Sequence, residues 1–514
     1  MTRLFIGHKP SVGPVVKIMK NDGDDPLTTA NNQHSKYLFN SETSRIGYID
    51  DIFIRTFMTS ITVKGTWVFT PGGSNMANCQ SAVFRQDSGN GYDTQVFRFA
   101  KSYFGSYFPL FEERRAMGDN KNVFLGPGTL TQDTDGGWFQ GISQTFTNSG
   151  GRVANQAAGS NWRAFFETSP VPTGDRWRQI ISLWDLPANN TALPSIGSPS
   201  SGQEVVRVSP SMARVAKPGF TVTNGSPKNF ILHEDYIPAK IMAAGEISVP
   251  ATGSKQATIT VPASFTLTPQ TYMDYHVRRD GSEWYNQYFF SPPLIYNSNE
   301  NDGIGFTYQV NASSVVITNR CRFPIVVRYA IFADSDAATT SGGSAIMRKT
   351  GNAIQIKRPG SSDSAPALND IMLDTRLAYF PLLKEGYLPW PGGFPSSYGA
   401  GEKFYGEKYV DVAVDNPTGV KLFVKHRLIF PASTGVGGVT YDEEIFEPVV
   451  SVMTNAGATW TGRMTAYSSY ARIATDEKSV RFSMAGDNPF YATGVYWRVA
   501  PAGIRYFIFG IPDL

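Results

Sequence analysis

Ala257-Thr258-Ile259-Thr260-Val261 alternates apolar and hydroxylated side chains with a period of two. In an extended chain that pattern places Ala257, Ile259 and Val261 on one face and the threonines on the other, as in a strand with one buried side. Further along, Phe306, Tyr308 and Val310 alternate in the same way. Asn311-Ala312-Ser313-Ser314 then reads as a turn and Val315-Val316-Ile317 returns, which is a hairpin. No long stretch keeps a helical period, and 49 Gly and 33 Pro would break most candidates. The expectation is a mostly-β fold of sandwich-like units with long loops.

Composition agrees. A chain of 514 residues suggests about three domains. Charged residues make up 17%, against roughly 25% in ordinary soluble domains, so charged helix faces are scarce. The net charge of +3 comes without a basic run: Arg114-Arg115 directly follow Glu112-Glu113 and cancel locally. A nucleic-acid partner is therefore not expected. Cys79 and Cys321 are the two cysteines. They are too few for a disulfide framework or a Cys-rich zinc site, and the expectation is two reduced thiols. Met1 to His8 lack the apolar core of a signal peptide, and no apolar run is long enough to span a membrane, so a soluble chain made in a cytoplasm is expected.

Outward from the alternating strands, a repeat appears. Lys217-Pro218-Gly219 precedes Asn229-Phe230-Ile231-Leu232 and Gly245; Arg358-Pro359-Gly360 precedes Asp370-Ile371-Met372-Leu373 and Gly386. Pro to Leu spans 14 residues and Pro to Gly 27 in both copies. Upstream, Ala213, Val215 and Lys217 match Ile354, Ile356 and Arg358 in kind. A fainter copy opens the chain, with Lys9-Pro10, Lys36-Tyr37-Leu38-Phe39 and Gly47 at different spacing. Closing strands also match: Arg328-Tyr329-Ala330-Ile331-Phe332-Ala333, Arg505-Tyr506-Phe507-Ile508-Phe509-Gly510 and Arg178 to Trp184. Pro lacks a donor and Gly permits positive φ, so each Pro-Gly should redirect the chain between strands.

Residues 187–205 and 334–345 have linker composition. They divide the chain into three spans: 1–205, an N-terminal β unit with a long insertion and a candidate anchor; 206–345; and 346–514, related to the second. Residues 66–175 have no counterpart in the other spans.

Chemistry-bearing motifs are scarce. The five histidines, His8, His34, His233, His276 and His426, do not cluster, and no metal-binding spacing appears. Asp133-Thr134-Asp135-Gly136 resembles the start of a calcium loop, but Trp138 and Gln144 stand where Gly and Glu are needed. Asn21-Asp22-Gly23-Asp24-Asp25 reads as an acidic surface turn. No nucleophile elbow or phosphate loop is present. No catalytic, cofactor or metal residue is expected. A glycosidase remains an alternative, because paired carboxylates carry little local signature. Trp284, Tyr285, Tyr288 and Trp390 are the candidate glycan or partner contacts if exposed, and core if buried.

Leu4-Phe5-Ile6-Gly7-His8-Lys9-Pro10 through Lys36 to Glu42 resembles the start of structural proteins in tailed-phage and prophage genomes. Val215-Ala216-Lys217-Pro218-Gly219 with Ile231-Leu232 resembles segments of phage tail and fibre-like proteins. The resemblance implies a non-enzymatic virion component, in the tail tip, baseplate or fibre. It implies other virion proteins as partners, self-assembly such as a trimer, and no cofactor. A receptor- or glycan-binding tail protein meeting a host surface, and a capsid decoration or head-fibre protein, are the alternatives.

Overall fold

A computed structural model of the chain describes residues 3–43, 203–223, 229–235, 239–267, 271–286, 306–319, 323–332, 339–379, 381–389, 408–430, 469–484 and 503–511. It also describes positions 186, 190 and 193, and the backbone of strands between 49 and 184, at 296–297 and between 435 and 463. The fold is mostly β: among the described residues there are antiparallel strands and short 3-10 turns but no α-helix.

The first span opens with β1 (Arg3–Lys9), β2 (Gly13–Met19) and β3 (Tyr37–Asn40). It continues with β4 (Ile49–Phe57), β5 (Thr66–Phe69), β6 (Cys79–Arg85), β7 (Asp93–Phe99), β8 (Phe108–Met117), β9 (Lys121–Leu125) and β10 (Arg176–Trp184). The second holds β11 (Val206–Ser209), β12 (Met212–Ala216), β13 (Phe230–Leu232), β14 (Lys240–Val249) and β15 (Gln256–Thr260). After these come β16 (Met273–Arg279), β17 (Trp284–Asn286), β18 (Phe306–Asn311), β19 (Ser314–Asn319) and β20 (Ile325–Phe332). The third holds β21 (Met347–Thr350), β22 (Ala353–Lys357), β23 (Ile371–Asp374), β24 (Ala378–Tyr379) and β25 (Leu382–Pro389). It ends with β26 (Lys408–Ala413), β27 (Lys421–Phe430), β28 (Glu444–Phe446), β29 (Ser469–Ala474), β30 (Ser479–Met484) and β31 (Gly503–Ile511). The expected hairpin is β18–β19, with Asn311 opposite Ser314.

Each span begins with a three-stranded sheet, β1-β2-β3, β11-β12-β13 or β21-β22-β23. The middle strand steps its register against the third at the same place, between Ile18 and Met19, Val215 and Ala216, and Ile356 and Lys357. The next amide then makes the same bond: Lys20 N to Lys36 O, Lys217 N to Asn229 O and Arg358 N to Asp370 O, at 2.8, 2.8 and 2.7 Å. The counterpart of Lys217 and Arg358 is thus Lys20, and the expected alignment on Lys9 is corrected. Lys9-Pro10 belongs to the β1–β2 turn, where the second span has Ser209-Pro210. In the two later copies Pro-Gly makes a type II turn. Phe220 N bonds Lys217 O and Ser361 N bonds Arg358 O, with Gly219 at φ 87° and Gly360 at φ 77°.

Long strand and closing strand pair antiparallel in every span: β4 with β10, β14 with β20, β25 with β31. Each pair is bulged near one end, so that Leu183, Ile331 and Ile508 correspond. Gly245 then faces Tyr329 and Gly386 faces Tyr506, while the first span has Phe53 opposite Ile181. The expected match of Gly47 to these glycines is therefore also corrected; Gly47 itself lies outside the described residues.

The three large sheets are shared between spans. One runs β15-β19-β18-β9-β8-β10-β4, the second β24-β14-β20-β16-β17-β29-β30-β26, the third β25-β31-β27-β28-β7-β6-β5. In each, four strands of one span are continued by three strands of another: second onto first, third onto second, first onto third; the second sheet also carries β24 of the third span at its opposite edge. The cycle closes. Within the first span β6 and β7 precede β8 in the chain, whereas β18–β19 and β29–β30 follow β16 and β27.

Among the described residues, three apolar cores hold this arrangement. Met273, Tyr275 and Val277 of β16 meet Ile259 of β15, Phe306 and Tyr308 of β18 and Ile317 of β19. Leu422, Val424, Ile504 and Ile508 meet Ala471, Ile473, Val480 and Phe482. The third core joins all three small sheets, through Ile18, Phe39, Val215, Leu232, Ile356 and Leu373. Burying each such side chain contributes about 1.5–3 kcal/mol, so the small sheets stabilise one another through this shared core.

Candidate functional site

β17 carries two of the residues singled out from sequence, and its alternation separates them. Tyr285 points into the core between β17 and the third span and is 2% exposed. Its ring lies under the Arg328 guanidinium at 3.9 Å. It offers no face to a glycan, which corrects the expectation for this residue. Trp284 points the other way and is half-buried. Tyr288 and Trp390 lie outside the described residues, as do Asp133 to Gly136, Gln144, Cys321 and the side chain of Cys79.

Strand pairing gathers further groups beside Trp284. Asn286 of β17 faces Arg472 of β29, Arg472 faces Arg481 of β30, and Arg481 faces Asp411 of β26. The Arg481 guanidinium sits 4.7 Å from the Trp284 ring and 3.8 Å from the Tyr409 ring. Both Asp411 oxygens accept from it at 2.7 Å. Arg472 lies 5.6 Å from Trp284. Tyr409 is 42% exposed. The result is a partly exposed sheet face with aromatic surface, the Arg481 guanidinium and one carboxylate, with Arg472 buried beside it. Such a face can pack sugar C–H groups and bond hydroxyls or carboxylates. Local sequence reading missed Arg481 and Tyr409 because they reach Trp284 only through pairing between spans.

Beneath that sheet lies a buried polar cluster. Arg328 donates to Glu246 at 2.8 Å, to Glu477 at 2.9 Å and to the Leu422 carbonyl at 3.0 Å. Burial pushes the Glu477 carboxyl up, with Arg328 opposing. Glu246 is also penalised by burial, but Arg328 and Lys421 hold its carboxyl below the usual range. Lys425 pairs with Asp274. Burial, with Arg328 and Lys425 nearby, pushes His276 well down, and its neutral Nε2 accepts from Val424 N at 3.3 Å. These groups tie the second span to the third.

Each small sheet has a polar tie of its own: Lys17 with Glu42, Arg214 with Glu234, Gln355 with Asp374. The Asn21 to Asp25 turn is likewise occupied internally. Asp24 pairs with Lys36, Asp22 with Arg3, and Asp25 accepts from Leu27 N. Among the described residues no group of three His, Cys, Asp or Glu could hold a metal ion, and no helix is long and apolar enough to cross a membrane. No family model, no curated protein and no solved structure matches the chain.

Proposed function

We propose that this chain is a non-enzymatic structural component of a tailed-phage virion, placed in the tail tip, baseplate or fibre, with other virion proteins and copies of itself as partners. The observation that carries the reading is the cyclic sharing of sheets, in which three related spans close one body around a common core. Such a body presents repeated surfaces to a symmetric neighbour, as an assembly component must. The buried charged groups support it: Arg328, Glu477, Asp274 and Lys425 bind one another across spans. The opening and Pro-Gly segments add their resemblance to phage structural proteins. A cryo-electron microscopy reconstruction of the parent particle tests this. Density for the chain at the tail is the expected result; density on the capsid would move it to a decoration or head-fibre role, and its absence from particles would end the virion reading.

The face around Trp284, Arg481 and Tyr409 favours a second reading, a tail protein that binds a host-surface glycan. Binding on a glycan array, lost in Trp284→Ala and Tyr409→Ala, would support it; a clean negative with the unaltered chain would count against it.

A further inference from the structure

The first strands of the three small sheets have a consequence independent of where the chain sits in a particle. Leu4 of β1, Val206 of β11 and Met347 of β21 face Ile18, Val215 and Ile356, which correspond by the register step. Two residues on stand Ile6, Val208 and Lys349, again corresponding. Of their partners Val16, Ile18, Ala213, Val215 and Ile356 line the common core, and Leu4, Ile6 and Val206 pack at its rim. Val208 and Met347 are left 46% and 53% exposed, two of the four large apolar side chains so exposed among the described residues.

Each of these strands is also an edge. Among the described residues β1, β11 and β21 pair on one side only. An unpaired edge presents alternating N–H and C=O groups, which an extended segment satisfies and a helix does not. Charge selects further. The three strands contain Arg3, His8, Lys9, Arg207, Arg348 and Lys349 and no acidic residue. Asp22, Glu42 and Glu204 neutralise Arg3, Lys9 and Arg207 from outside the strands. Arg348 instead bonds Thr350 and the Ser364 carbonyl, and Lys349 is exposed.

We propose that β21 is a docking edge that accepts one extended, acidic, alternately apolar segment of a partner protein as a fourth strand. Apolar side chains of the segment would extend the rim of the common core beside Met347, and its carboxylates would meet Arg348 and Lys349, whereas the bases of β1 and β11 are already matched.

The probe is a synthetic seven-residue peptide of alternating Val and Glu, titrated calorimetrically into the full chain, with hydrogen exchange read on the same samples. Expected are one peptide bound per chain, new protection in β21, and binding about tenfold weaker for a Val-Lys peptide. Lys349→Glu, at an exposed site, should weaken binding of the Val-Glu peptide about tenfold and leave the melting temperature unchanged. No binding, equal binding of the Val-Lys peptide, protection elsewhere, or a β21 edge already protected in a self-associated chain would each overturn the proposal. These outcomes do not depend on the particle assignment.

Discussion

Asp274 and Lys425 occupy corresponding positions in β16 and β27, and they bind each other. Asp274 lies opposite Ala330 and Lys425 opposite Phe507, and those two residues match by the closing-strand bulge. A repeated position has thus acquired opposite charges in two copies, which an exact repeat cannot do. Both side chains are buried. Removing one partner leaves an unpaired buried charge, so Asp274→Leu or Lys425→Met should each cost about 3–5 kcal/mol. Replacing both by Leu and Met should cost much less, because the desolvation penalty goes with the pair. Urea titration of the four proteins as a double-mutant cycle checks this; additive losses would show that the pair is not coupled.

Gly245 and Gly386 face tyrosines, and the two sites differ in room. A Cβ on Gly245 would stand 3.2 Å from the Tyr329 hydroxyl, a small adjustment. On Gly386 it would stand 2.6 Å from Tyr506 Cζ, against the ring itself. Gly386→Ala should therefore destabilise by about 1–3 kcal/mol and Gly245→Ala by less. Adding Tyr506→Val to Gly386→Ala should recover part of the loss in thermal melts.

The Pro-Gly turns allow a purely conformational test. Gly360 has φ 77° and nothing near its missing Cβ, so Ala there meets strain without a clash. Gly360→Ala should cost about 1 kcal/mol and Gly360→Asn less, since Asn tolerates the left-handed region. Equal melting temperatures for both variants would mean that the turn rearranges.

The same turns show what could be read beforehand. Pro218-Gly219 and Pro359-Gly360 were legible because backbone chemistry restricts them wherever they occur. Alternation gave β15 and the β18–β19 hairpin for the same reason, since period two is local. Lys9-Pro10 misled because the likeness was of residue type, whereas correspondence lies in the register step after Ile18, with a longer excursion from Lys20 to Phe39 concealing it. The sharing of sheets between spans was not legible at all. Pairings such as Asn286 with Arg472 join segments far apart in the chain, and no local pattern encodes them. The Trp284 face depends on that pairing, which is why one of its aromatic residues was foreseen and Arg481 and Tyr409 were not.

Acid should loosen the start of the third span through Asp363. Its carboxylate accepts from Ser344 N at 3.0 Å and Ala345 N at 2.9 Å and pairs with the buried Lys357 at 3.0 Å. The Ser344 amide, then Lys357 and the Ala345 amide, hold its pKa down at about 2, against an ordinary 3.8. A folded value below the unfolded one means that this carboxylate stabilises the fold fully above the unfolded pKa. The contribution is then lost as pH falls through 3.8 toward about 2. Asp363→Asn removes the titration and keeps the shape, so its urea midpoint should start lower at pH 5 and fall less steeply between pH 4 and pH 2. Parallel pH profiles for the two proteins would mean that the stretch from Thr340 to Ala345 is held by other contacts, of which the Thr340 bonds to Asp370 are the strongest on offer.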